Sequence, residues 1–180
     1  MNRTDHICLM ARYNEWMNAK LYEAARHLSD EELAADRKAF FGSIIATLNH
    51  LVAGDTIWLR RFSAHPTNFP ALAVLNDLPV PASLDQILFP DIRSLSAHRK
   101  QLDQIILDWA HSITEPDLDV VLGYTNMKNV AAKRNLFSLL MHFFNHQTHH
   151  RGQVTTLLSQ AGVDVGVTDL LMLIPDETVT

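Results

Sequence analysis

The stretch HFFNHQTHH, His142 to His150, places four of the chain's ten histidines within nine residues. Imidazole is the commonest side-chain metal ligand, so the question is which of the four could share one ion. On a helix, residues four apart lie one above the other about 6 Å along a common face, and His146 and His150 have that spacing. At about 100° per residue, Leu136, Leu139, Leu140, Phe143, Val154, Leu157, Leu158 and Ala161 form one apolar arc. Measured from its centre, His150 lies roughly 30° away, His146 roughly 70°, His142 roughly 110° and His149 roughly 130°. Only His146 and His150 point inward; His142 and His149 are expected to be solvated or to stand beside the ligands. The spacing does not by itself separate a metal pair from core histidines bonded to backbone. The zinc-protease version of HxxxH carries a glutamate after the first histidine, and Gln147 stands there instead.

A third ligand must come from another helix, with His50, Asp55 and His98 as candidates. Ile44, Leu48, Leu51, Trp58, Leu59 and Phe62 define the main arc of the helix carrying the first two. Asp55 falls inside that arc and His50 roughly 140° away, so periodicity favours Asp55. His50 has a second face for company, formed by Ala46, Ala53, Gly54 and Ile57, whose small members leave room beside an imidazole. Asp55 could alternatively orient a ligating imidazole. His98 reads as a satisfied core or boundary histidine, and His6, His27, His65 and His111 as surface residues. Arg151 and Gln153 either lie near the metal or bridge helices, and Cys8 reads as a buried small residue.

Four long helical segments must position these groups. The first spans about Asp5 to Leu28 and is followed by a capping box, Ser29 with Glu32, opening a short turn. The second spans about Ser43 to Phe62 and carries few charges before Arg60 and Arg61, so it is expected to be buried on more than one side. Residues 63–82 hold four prolines and read as a long surface crossover. A second box, Ser83 with Gln86, opens a third segment that runs to about Ile113, is broken near Pro90, and aligns Ile92, Leu95, Leu102, Ile106 and Trp109. DLDVVLGYTNMKNV supports at most a hairpin, with Gly123 and Asn126 as turn residues. The fourth helix runs from about Asn135 to Ala161 and ends at Gly162 as a glycine cap. The expected fold is all-α: a four-helix bundle with one long crossover, in a single domain over residues 1–180.

With 15 Lys+Arg against 20 Asp+Glu and no basic run, the chain lacks the electrostatic footprint of a nucleic-acid binder. The single cysteine rules out an internal disulfide. Neither a secretory signal nor an apolar run of about 18 residues is visible, so a cytoplasmic protein with no membrane span is expected.

YNEWMNAKLY in the first helix, LNHLVAGDTIWLRRF in the second, HFFNHQTHHRGQV in the fourth and VTDLLMLIP near the end resemble the DinB family over nearly the whole chain. The HRGQ run with a histidine four residues upstream is the most specific part. The resemblance implies a bundle, commonly a homodimer, holding a divalent metal through His50, His146 and His150. It thus overrules periodicity on the second helix. The apolar second helix also suggests a dimer, having more apolar surface than one core requires.

Three neutral imidazoles leave a coordination position open, as in catalytic rather than closed structural sites. One divalent ion is expected, zinc or nickel first, with iron or manganese also compatible with imidazole. The family and its wider relatives point to a metal-dependent hydrolase or a transferase using a low-molecular-weight thiol, acting on a small molecule. The alternative is a non-enzymatic, stress-related, metal-binding dimeric bundle, because no general base can be located.

Overall fold

The computed structural model describes residues 2–176. The long helices are α1 (Arg3–Ala25), α3 (Ile44–Phe62), α4 (Ile92–Ser112) and α5 (Leu136–Gln160); a short α2 (Asp30–Ala34) precedes α3, and a hairpin of β1 (Val121–Thr125) and β2 (Ala131–Asn135) precedes α5. Each helix starts where a side chain satisfies backbone N–H groups that have no intrahelical acceptor. Asn2 and Asp5 form a capping box that starts α1 two residues earlier than expected, and Ser29 with Glu32 does the same for α2. Ser43, Asp91 and Asn135 cap α3, α4 and α5. Beyond α5, Gly162 has φ of 81°, and Val163 N–H donates to the Leu158 carbonyl, which closes the helix as a glycine cap does.

Side-chain contacts fix the helix directions. Asn14 and Asn18 reach Asp103, Arg26 reaches Ser96 and Cys8 reaches the Ala110 carbonyl, so α1 and α4 are antiparallel. Trp58 meets His142 and Gly54 meets His146, so α3 and α5 are antiparallel as well. Asp55 pairs with Arg99 and Phe62 stacks on Trp109, making α3 and α4 parallel. Arg3 lies over Phe137 and Arg151 reaches Asn14, making α1 and α5 parallel. This is a four-helix bundle in which α1 and α3 each pack between α4 and α5. Two parallel neighbours need a return along the bundle, and residues 63–91 supply it as the long crossover.

That crossover is more than a surface connection. Its 3-10 turn, Pro70–Asp77, buries Leu72 and Leu75 against α3 and α4, and Arg60 donates to the carbonyls of Leu75 and Leu78. His65, expected at the surface, is 1% exposed; its Nε2 faces the Asp117 carbonyl and its Nδ1 accepts from Thr67 N–H. Nor does the Ser83/Gln86 box start a helix. Gln86 Oε1 accepts from Ala82 N–H, and α4 begins only at Ile92, after Pro90. The reason is tertiary. Asn49 on α3 accepts from Leu88 and Phe89 N–H and donates to the Phe89 carbonyl, so α3 claims the backbone groups a helix here would need.

In the hairpin, Asn126 turns the chain, accepting from Lys128 and Val130 N–H. Gly123 is not a turn residue but lies within β1, opposite Lys133. Most of the apolar surface of α3 is covered within the chain: His50, Ala53 and Gly54 are buried with most of both arcs, while Ala46 and Trp58 are half-buried. Among the described residues no helix is long and apolar enough to cross a membrane.

Candidate metal centre

The structure brings His50, His146 and His150 together across α3 and α5. His50 Nε2 stands 3.2 Å from His146 Nε2 and 3.1 Å from His150 Nε2. His50 is buried at 4% exposure, whereas His146 and His150 are half-buried. His142 and His149 are exposed, as the wheel placed them. His98 is buried against Phe89, with ring centroids 4.8 Å apart, outside the cluster.

The tautomers of two of these imidazoles follow from their outer partners. His50 Nδ1 lies 2.8 Å from the Leu84 carbonyl. A carbonyl only accepts, so the proton sits on Nδ1 and Nε2 presents a lone pair. His150 Nδ1 likewise lies 2.8 Å from Gln153 Oε1, leaving its Nε2 as an acceptor. Two lone pairs thus face each other at 3.1 Å, a repulsive arrangement unless a cation lies between them. The spacing also suits one ion, because imidazoles about 2.0–2.1 Å from zinc in tetrahedral geometry have their nitrogens roughly 3.3 Å apart. The three residues therefore form a cluster compatible with a metal ion.

Electrostatics agree. Burial, reinforced by the neighbouring imidazoles, pushes His146 down to about 3. Burial also lowers His50 and His150, against the raising effect of their bonds to Leu84 and Gln153. All three are neutral near pH 7, the form that ligates.

Several residues shape this site that the sequence reading did not assign. Asn49, next to His50, pins residues 88–89 and with them the segment that presents the Leu84 carbonyl. Phe41 stacks on His50 with centroids 3.9 Å apart and meets His150 edge-on at 5.6 Å. It sits in a turn closed by Gly42, whose φ of 80° favours glycine. Gly54 makes room as expected of the small face: a Cβ there would lie 3.1 Å from His146 Cε1.

Asp55, which periodicity preferred as ligand, is 1% exposed but turned away from the imidazoles. Its Oδ2 accepts from Arg99 Nη1 at 2.5 Å and Gln147 Nε2 at 2.9 Å, so it neither ligates nor orients a histidine. Arg99 Nε lies 3.1 Å from Asp103 Oδ1, which also accepts from Asn14 and Asn18. Arg151 donates to Asn14 within the same buried network. Gln153 does meet the site, through His150. Cys8 is half-buried, with its thiol directed at the Ala110 carbonyl.

The model of the DinB family matches residues 1–177. A curated relative, Protein DinB of Bacillus subtilis (strain 168), is 26% identical over 166 residues, covering 92% of each chain. No solved structure matches.

Proposed function

The chain belongs to the DinB family, and from that premise we propose that His50, His146 and His150 hold one divalent ion, zinc or nickel, in a metal-dependent enzyme. The reaction class is hydrolysis or transfer of a low-molecular-weight thiol to a small molecule. The observation that carries this reading is the pair of convergent lone pairs on His50 and His150, each fixed by an outer acceptor. Held by these three neutral imidazoles with a position left open, such an ion would supply Lewis acidity able to bring the pKa of a water or thiol toward neutral.

The chain's own residues set the conditions for that chemistry. Leu84 and Gln153 hold two rings by their Nδ1 protons, which raises the basicity of the ligating nitrogens. Phe41 covers one side of His50 and excludes water there. The half-buried His146 and His150 leave the opposite side accessible. Among the described residues no carboxylate belongs to the cluster, and Asp55 is committed to Arg99. A homodimer is proposed on the family resemblance alone; a monomer by light scattering at micromolar concentration would remove it.

Elemental analysis of untagged protein tests the site. About one equivalent of metal is expected in the wild type and none in His150→Ala. Turnover of an electrophile with a bacterial thiol, abolished by His146→Ala, supports the enzyme. Metal without turnover across a broad panel favours the non-enzymatic reading.

A further inference from the structure

A row of rings leads away from the imidazole cluster. His150 and His146 have centroids 4.4 Å apart, His146 and His142 6.1 Å, His142 and Trp58 5.1 Å, and Trp58 and Tyr124 5.4 Å. At its far end the Arg61 guanidinium lies 4.7 Å from the Trp58 ring centroid and 5.1 Å from that of Tyr124. Trp58, Arg61 and Tyr124 are half-buried and His142 is exposed, so the row lies at the surface.

The hairpin contributes to this end. Tyr124 and Arg134 lie on one face of it, because Arg134 pairs with Leu122, two residues from Tyr124. Among the described residues neither Arg61 nor Arg134 makes a salt bridge or a side-chain hydrogen bond, whereas Arg3, Arg26, Lys38 and Arg99 are each paired with a carboxylate. Among the described residues Arg12 and Arg93 are unpaired as well, so what sets Arg61 and Arg134 apart in a chain of net charge −5 is their place at the end of an aromatic row. Arg61 is held by its two rings, not by an acid. Its outward N–H groups therefore remain free to bind a carboxylate or phosphate.

We propose that the row is the floor of a substrate groove in which Arg61 takes the anionic end of a molecule whose reacting group lies at the three histidines. This rests on the metal reading above. Gly54, the residue against His146, and Arg61 are seven residues apart on α3, so the two ends of the ligand are separated by roughly 10 Å. The substrate class is a small, elongated organic anion. Its middle lies on Trp58 and His142, and its charge is bound by Arg61 with Arg134 adding field.

The test uses the full-length cobalt(II)-loaded protein and three thiols that report through the sulfur-to-cobalt absorption band: ω-mercaptooctanoate, its methyl ester and mercaptoacetate. The octanoate is expected to bind about tenfold more tightly than its ester, the advantage of one charge-assisted contact. Arg61→Gln is expected to erase that advantage while leaving the ester's affinity and the melting temperature unchanged, and Arg61→Lys to restore part of it. Mercaptoacetate is too short to reach, so Arg61→Gln should not alter its affinity. Equal binding of acid and ester by the wild type, or an acid preference that survives Arg61→Gln, overturns the groove while leaving the metal site standing. Failure to bind cobalt at all overturns both.

Discussion

Two adjacent faces of α5 solve opposite problems with neighbouring residues. His146 and His150 are half-buried and turn toward His50, while Gln147 and Arg151, each the next residue along, are 1% and 2% exposed and turn into the bundle. The inner face is electrically closed. Asp55 and Asp103 are matched by Arg99 and Arg151, with Asn14, Asn18 and Gln147 taking further bonds. Burial still pushes Asp103 up to about 6, opposed by Arg99, and burial brings Arg151 down to about 10. The outer face is open: its imidazoles converge with no acid of the described residues between them, and the lone pairs of His50 and His150 meet without a proton. Burial of a polar group therefore does not by itself mark it as functional. The more buried set matches its own charges, though Asp55 Oδ1 and Gln147 Oε1 lack hydrogen-bond partners, and the less buried set is the one a cation would complete.

Breaking the closed face should cost the most. Asp55→Ala leaves Arg99 buried without its strongest partner and is expected to destabilise the fold by about 3–5 kcal/mol, read as a lower denaturant midpoint. A loss below about 1 kcal/mol would mean that water reaches Arg99. The open face should respond in metal affinity instead. Gln153→Ala removes the acceptor that orients His150 and should weaken binding about 10- to 100-fold, measured by chelator competition, with the midpoint of the apo protein nearly unchanged.

A subtler change separates the two faces further. Gly54→Ala places a methyl 3.1 Å from His146 Cε1, which should displace that ring and weaken metal about tenfold. Alanine also gains up to about 1 kcal/mol of helix propensity over glycine, so the apo protein should be no less stable. Unchanged metal affinity would show that the ring yields freely.

The smallest effect belongs to neither face. Arg3 binds Glu115 and Asp119 at 2.8 and 2.7 Å. The Thr4 N–H together with Arg3 lowers the Glu115 carboxyl, and Arg3 lowers that of Asp119. Depressed carboxyl values contribute stability above the unfolded pKa near 4, and that stability is lost as pH falls through the folded value. Arg3→Ala should therefore lower stability slightly above about pH 4, and the difference from wild type should shrink to nothing as pH falls through the folded carboxyl values, giving a shallower acid decline. Identical acid limbs in the two proteins would remove this clasp from the account.

Local signals in the sequence carried the long helices and the short α2, since apolar spacing, the Ser29–Glu32 box and the Gly162 cap act over a few residues. They also carried the inward direction of His146 and His150. Long-range pairing was hidden. The wheel placed Asp55 in the apolar arc correctly, but not that Arg99, 44 residues away, would claim it. The Ser83/Gln86 box failed for the same reason, because Asn49 and His50 on α3 take the backbone groups of residues 84–89. His65 gave no periodic signal, lying in a crossover that packs by 3-10 turns. His50 was reached through family resemblance, and its geometry explains why: it occupies a second buried face that a single-arc wheel penalises.

The most direct test of the open and closed faces is the metal content of His50→Ala beside Asp55→Asn, measured on untagged protein by elemental analysis. His50→Ala should fold with near wild-type stability and carry no stoichiometric metal, and Asp55→Asn should be less stable yet keep about one equivalent. Metal retained by His50→Ala and lost from Asp55→Asn would contradict the account and return the ligand role to the carboxylate.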